Sequence, residues 1–127
     1  MKKYRFKSFA IGCLIMLSAS DLSKAQVSFQ WARHFEGINL IEGYAISVDN
    51  SGNVYTSGAF SGTGDFDPGS GVANLTSAGF QDIFISKLDA SGNFVWAKQM
   101  GGAEFDFGLS VEVDAAGNLY TLSLIHI

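Results

Sequence analysis

The carboxylates of this chain gather in glycine-rich turns, and two of them, Asp65 and Asp67, stand close enough in sequence to share an ion. They lie in a run with Gly62, Gly64, Pro68, Gly69 and Gly71. Calcium is a hard ion that takes about six to eight oxygen ligands, so two carboxylates supply only a minority of its shell. The spacing is neither that of an EF-hand nor that of a calcium-binding nonapeptide repeat. The competing reading is a Pro-Gly turn whose Asp side chains accept hydrogen bonds from backbone amides. Asp49, Asp89 and Asp114 each open an Asp-x-x-Gly-Asn motif. One carboxylate per motif makes these hairpin formers before it makes them ligands.

Hydrolytic chemistry has little to work with. A glycosidase needs two carboxyl groups about 5–10 Å apart, and every loop carboxylate here is an equal candidate, so none is singled out. His34 occupies a position equivalent to Gln99, which reads as an interfacial polar residue rather than a base. Neither a Ser-His-Asp order nor a nucleophile-elbow pattern is present. No catalytic residue is assigned, and calcium at Asp65 and Asp67 is the one cofactor the residues bring into question.

The elements that position these groups follow a leader. Lys2, Lys3, Arg5 and Lys7 form a basic segment, an apolar run spans 9–17, and Ser23, Lys24 and Ala25 end it with small residues at the positions a signal peptidase reads. We place a signal peptide at 1–25 with cleavage before Gln26. The apolar run is short of the roughly 20 residues of a membrane span, so no membrane segment is expected in the mature form. Cys13 within Ala10-Ile-Gly-Cys13 is a loose acylation box, the lipoprotein alternative. Beyond residue 25 the cations are Arg33, Lys87 and Lys98, against eleven carboxylates, a formal balance of −8. Such a surface is unsuited to nucleic acid or to an anionic membrane, which demand a basic footprint. The same stretch has no cysteine, so an exported chain here relies on packing without disulfides.

A repeat organises everything after the leader. Residues 29–56 laid over 94–121 at an offset of 65 match at 11 of 28 positions: Phe29, Trp31, Ala32, Gly37, Gly43, Val48, Asp49, Gly52, Asn53, Tyr55 and Thr56 all recur. Each Asp-x-x-Gly-Asn motif stands between runs rich in Val, Ile, Phe and Tyr. Asp accepts amides at the start of a turn and Gly takes a positive φ without steric cost, so each motif predicts a hairpin built on a type I turn with a glycine bulge. The strands so joined are 44–49 with 53–58, 83–89 with 94–100, and 109–114 with 118 onward. The stretch of about twenty residues from the second strand to the third is read as a loop. Ile83, Phe84 and Ile85 are apolar on both sides of a strand, which fits a sheet buried on both faces. Four antiparallel strands per 65 residues, in tandem, predict an all-β fold: part of a β-propeller. Trp31 and Trp96 fall at equivalent positions and are read as anchors between blades. Gly52, Gly92 and Gly117 are read as the positive-φ turn residues.

Asp82-Ile-Phe-Ile-Ser-Lys-Leu-Asp89-Ala-Ser-Gly-Asn93, followed by Val95-Trp-Ala-Lys98, Met100-Gly-Gly102, Asp106, Gly108 and the turn at 113–118, resembles the SBBP-type β-propeller repeat of secreted bacterial proteins. The run 62–69 with Leu75, Thr76 and Ser77 is similar to its Bacteroidetes form. The resemblance covers 29–121. It implies a propeller, with adhesion-type modules and a sorting domain expected downstream, and it transfers no catalytic set. The first copy departs from the pattern at Ile41, where the second has Asp106. If that Asp supports a turn, the first copy must use Asn39 or Glu42.

The register carries expectations about organisation. The segment 29–35 aligns with the fourth strand of a unit, so it is expected to close a ring as the last strand of a blade whose other strands lie elsewhere in the chain. Residues 26–121 then hold that strand, one full blade and the start of the next. The repeat breaks at Leu122. Residues 122–127 equal one reading frame of a sequencing-library transposon end and are expected to be adaptor-derived. The expected function is a secreted or surface-exposed binding or scaffold module whose partner is an extracellular protein or glycan, besides the missing blades. The alternative is the N-terminal part of a propeller hydrolase or lyase acting on polysaccharide, with its site elsewhere.

Overall fold

The computed structural model describes residues 29–37 and 39–125. The leader at 1–25, its cleavage position, Cys13 and His126 lie outside the described residues. Residues 29 and 30 belong to a separate unit and are both exposed. The account below concerns the unit Trp31–Ile127.

Among the described residues nine strands form: β1 (Glu36–Gly37), β2 (Ile41–Val48), β3 (Val54–Phe60), β4 (Thr63–Asp65), β5 (Asn74–Thr76), β6 (Asp82–Leu88), β7 (Phe94–Met100), β8 (Phe107–Val113) and β9 (Leu119–Leu124). No helix occurs among the described residues. The central sheet has the order β2-β3-β6-β7, antiparallel throughout. This is the four-stranded unit that the 65-residue repeat predicts, and β8-β9 opens the next one.

The hairpins form because their turns are chemically determined. In all three, the amide of the glycine donates to the Asp carbonyl, at 2.9–3.0 Å, and Gly52, Gly92 and Gly117 take φ of 81°, 79° and 84°. A side chain is disfavoured at such angles. The amide of Asp49 donates back to the carbonyl of Asn53 at 3.0 Å, and the other two turns repeat this.

Both faces of the blade are covered, as the doubly apolar β6 requires. On one face Tyr55, Ile83, Ile85 and Val111 form a buried cluster with Trp96 and Met100 against it, so β8 of the next unit closes this side. Gly108 lets β8 come close: a Cβ there would lie 2.7 Å from Ile83 Cγ2, and the Ser57 hydroxyl donates to the Gly108 carbonyl at 3.1 Å. On the other face Phe60, Phe66 and Phe84 are buried. Ring centroids stand 5.3 Å apart for Phe60 and Phe66, and 4.9 Å for Phe66 and Phe84. Burying each such ring contributes about 1.5–3 kcal/mol.

One expectation requires correction. The stretch between the second and third strands is not a plain loop: it carries the β4–β5 hairpin, joined by β1 into a sheet of order β1-β4-β5. Its strands are three residues long, too short for an alternation signal, and they are fixed by tertiary packing of Phe66 onto the blade. Residues 31–35 make no strand pairing among the described residues, and Glu36–Gly37 pairs with β4. The equivalent β7 is a strand with β6 beside it. A ladder needs a neighbour's amides and carbonyls, and the three strands expected beside 29–35 lie outside this chain.

β9 continues through Leu122, Ser123 and Leu124 in register with Ser110, Gly108 and Phe107. Ladder bonds join backbone to backbone, so this pairing is indifferent to the side chains it carries.

Candidate functional site

Asp65 and Asp67 come together with His34 and Glu36 around a cleft of about 170 Å³, which Pro68, Gly69, Ser70 and Gly71 complete. β4 sets the position of Asp65, which is in register with Glu36 on one side and Asn74 on the other. Asp65 Oδ1 accepts the amides of Asp67 at 3.0 Å and Ala73 at 2.8 Å. Asp67 Oδ1 accepts the amide of Gly69 at 2.8 Å. Gly71 runs so close to Asp67 Oδ2 that a Cβ would overlap it. Each carboxylate thus commits one oxygen to shaping the loop. Among the described residues no three His, Cys, Asp or Glu side chains are grouped to hold a metal ion. Asp65 and Asp67 supply two carboxylates toward the six to eight oxygens that calcium takes.

His34 is exposed and sits 3.4 Å from Glu36 Oε1. It stands in the unpaired stretch before β1. Gln99, on β7, donates to the Thr76 carbonyl at 2.8 Å.

The turn carboxylates are saturated with donors. Asp49 Oδ1 accepts the amides of Ser51 and Asn53, both at 2.9 Å, and Oδ2 accepts Asn53 Nδ2 at 2.8 Å and the Tyr55 hydroxyl at 3.1 Å. The Asn53 side chain above all, then the backbone amides and the Tyr55 hydroxyl, pulls its pKa down to about 2. Asp89 is held below the usual range by the Asn93 amide and side chain, with smaller help from the Ser91 amide and the charge of Arg33. Asp114 is lowered by the Asn118 side chain first and its amide second. A carboxylate so lowered stays ionised near neutral pH and cannot serve as a proton donor there.

The two tryptophans meet different surroundings. Trp31 lies over the second turn, its Nε1 donating to the Ala90 carbonyl at 3.0 Å, and a Cβ on Gly92 would come 2.8 Å from its ring. Trp96 packs on the blade's own cluster, edge-on to Tyr55 at 6.2 Å.

Two features had no clear sequence signal. Asp82 and Asp106 are both buried and converge on Gly101, where a Cβ would stand 2.8 Å from an oxygen of each. Asp82 accepts the Ala78 amide at 3.1 Å, and Asp106 accepts the Gly102 amide at 2.6 Å. Asp106 therefore supports the turn between units. Among the described residues of the first copy, the Leu40 amide donates to the Ser61 hydroxyl at 3.3 Å and Glu42 accepts the Tyr44 hydroxyl. The second feature is a row of rings at the junction of β2 and β8. Phe80 and Phe105 are nearly parallel with centroids 5.1 Å apart, Phe105 and Phe107 nearly parallel at 6.4 Å, and Tyr44 follows Phe107 at 6.4 Å. The alternation of Phe105 and Phe107 is visible in the sequence, but their approach to Phe80 and Tyr44 depends on the packing of β8 against β2.

No protein-family model matches the chain. An uncharacterised WD repeat-containing protein of Acanthamoeba polyphaga mimivirus is 28% identical over 103 residues, covering 70% of this chain and 7% of that protein. The chain thus spans a small part of the length of the curated relative it matches. It contains no Trp-Asp dipeptide, since both tryptophans precede Ala; the likeness is one of repeat architecture. Sheet order, antiparallel pairing and this likeness together make the chain an all-β, β-propeller-type repeat, with a four-stranded antiparallel sheet followed by a two-stranded one.

Proposed function

We propose that the chain is a secreted or surface-exposed β-propeller module of the SBBP type, used for binding or as a scaffold. Its partner is an extracellular protein or glycan, and its function does not involve nucleic acid or a membrane surface. One observation supports this most. The carboxylates of the three turns and of the 62–71 loop each commit at least one oxygen to neighbouring backbone amides, which favours a role in holding the blade in shape. The basic and apolar leader supports export, and the formal charge of −8 after it supports the exclusion of polyanionic partners.

Two assays test the reading. Residues 1–30 fused to a reporter that is active only outside the cytoplasm should yield reporter activity, and a reporter that stays silent contradicts export. Incubation of the full-length protein that carries this chain with a panel of soluble polysaccharides should release no new reducing ends or unsaturated ends. Their release would replace the binding module with the hydrolase or lyase alternative.

A further inference from the structure

The segment that leads into β1 grips the turn between β6 and β7. Trp31, Arg33 and Phe35 alternate along it, and all three touch the blade. Trp31 Nε1 donates to the Ala90 carbonyl at 3.0 Å. Arg33 Nε donates to the Gly92 carbonyl at 3.0 Å. Phe35 reaches Phe66 and Phe84, with ring centroids 5.2 and 5.9 Å away. Ala32 and His34, between them, are exposed. Side chains at every second residue of an extended chain share one face, so one face of this segment holds both the turn and the aromatic cluster.

The turn is fitted to the tryptophan. A Cβ on Gly92 would stand 2.8 Å from Trp31 Cδ2 and 3.0 Å from Cε3. Gly92 therefore takes a φ of 79° and also leaves room for the ring. The turn at 114–118 is built on the same Asp, Gly and Asn, yet a Cβ on Gly117 would meet nothing within 4 Å.

The repeat carries the gripping face forward. At the offset of 65, Trp31, Arg33 and Phe35 become Trp96, Lys98 and Met100. These lie on β7, and Trp96 and Met100 pack on the cluster of Tyr55, Ile83, Ile85 and Val111, the side that β8 closes. β8 and β9 repeat β2 and β3 down to the break in register, which falls between Gly43 and Ala45 in one pair and between Gly108 and Ser110 in the other. The face that holds a turn in the first copy thus looks, in the second, toward the strands of the next unit. Lys98 keeps the charge of Arg33, and its ammonium can supply the single hydrogen bond that Arg33 makes.

We propose that Trp96 and Lys98 clasp the turn between the third and fourth strands of a following repeat, as Trp31 and Arg33 hold 89–93. Trp96 Nε1 donates to the carbonyl of the residue after the turn's Asp, and Lys98 Nζ to the carbonyl of its Gly. The partner is a turn of the Asp-x-x-Gly-Asn kind, and one contact, used over again, joins consecutive units. This rests on the propeller-module reading above and names the segment that β7 receives.

Hydrogen exchange read by mass spectrometry tests it, in the 127-residue chain and in the full-length protein that carries it. In the 127-residue chain, Trp31→Leu should speed exchange of the Ser91, Gly92 and Asn93 amides about fivefold or more by easing local opening, and leave the 114–118 turn within about twofold. In the full-length protein, Trp96→Leu should do the same to the turn between the third and fourth strands of the following repeat, and again spare 114–118. Trp96→Phe, which keeps a ring and loses the donor, and Lys98→Met, which loses the cation, should each give a smaller rise at that same turn. Unchanged exchange there in Trp96→Leu and Trp96→Phe would overturn the proposal. So would a rise shared equally by 114–118, which would make Trp96 a general support of the next unit, or a full-length protein with no repeat after this one. A Trp31→Leu chain whose 89–93 turn exchanges as the parent's does would remove the template and overturn it likewise. The binding-module reading is decided separately, by polysaccharide cleavage.

Discussion

The hairpins β2–β3 and β8–β9 carry the same turn and live in different environments. In each, an Asp accepts two amides, an Asn side chain and the hydroxyl of a Tyr six residues on, at 3.1 Å from Tyr55 and 3.2 Å from Tyr120. Yet Tyr55 is 3% exposed and Tyr120 60%. A Cβ on Gly52 would meet the Ala90 side chain at 3.1 Å, whereas one on Gly117 would meet nothing. The difference teaches that the turn is made locally and the core is not. β3 is buried because β6 and β7 follow it in the same sheet and β8 lies across it. β9 has β8 alone as its sheet partner.

Matched substitutions in the two copies separate these contributions, and the largest contrast lies at the tyrosines. Tyr55→Ala should cost about 3–5 kcal/mol, as for other large buried side chains. Tyr120→Ala should stay within about 0.5 kcal/mol, as at other surface positions. Urea unfolding of the chain reads both. Comparable losses would mean that the hydroxyl-to-Asp bond, which the copies share, carries the stability.

Next come the positions of closest approach. A Cβ on Gly58 would run into the Glu42 carbonyl and stand 2.8 Å from Phe84 Cε1. Gly58→Ser should therefore destabilise by about 1–3 kcal/mol through overpacking. At the turns the contrast narrows, because the positive φ is common to both. Gly52→Ala and Gly117→Ala should each cost about 1 kcal/mol from backbone strain, with a further increment only at Gly52, where Ala90 is close.

Acid should distinguish the turns from the rest of the fold. The folded pKa of Asp49 is near 2, below its unfolded value, and that of Asp114 is also lowered. The stabilisation these groups give is complete above pH about 4, the unfolded carboxylate range, and is lost as pH falls from there toward 2. Melting temperature followed over that range should drop, and Asp49→Asn should flatten part of the drop. A profile unchanged by that substitution would remove Asp49 from the account. The smallest expected effect is that of calcium. Asp65 and Asp67 already accept three backbone amides, so millimolar calcium should leave the melting temperature where it is. A clear rise that disappears in Asp65→Ala with Asp67→Ala would establish an ion at that cleft.

Much of the fold was legible because its signals are local. Asp49, Gly52 and Asn53 dictate a turn wherever they occur together, and Ile83, Phe84 and Ile85 announce a strand with two covered faces. The β4–β5 hairpin was illegible because Thr63–Asp65 and Asn74–Thr76 depend on Phe66 reaching the blade, a contact between residues far apart in sequence. The segment 29–35 illustrates the converse: its residues match β7, but strand formation is a property of pairs. At the 62–71 cleft the sequence named both carboxylates and could not say where their oxygens point. It said nothing of the aromatic row, since Phe80, Phe105 and Tyr44 meet only once two units pack together.

The central claim is that one 65-residue repeat makes a four-stranded blade of order β2-β3-β6-β7. Cross-strand nuclear Overhauser effects in the isotopically labelled chain test it most directly. The account predicts contacts pairing Thr56 with Ser86 and Gly58 with Phe84, joining two strands that are separated by the whole β4–β5 insertion. Absence of β3–β6 pairing, or a register displaced by one residue, would turn Ile83 and Ile85 away from Val111 and contradict the blade.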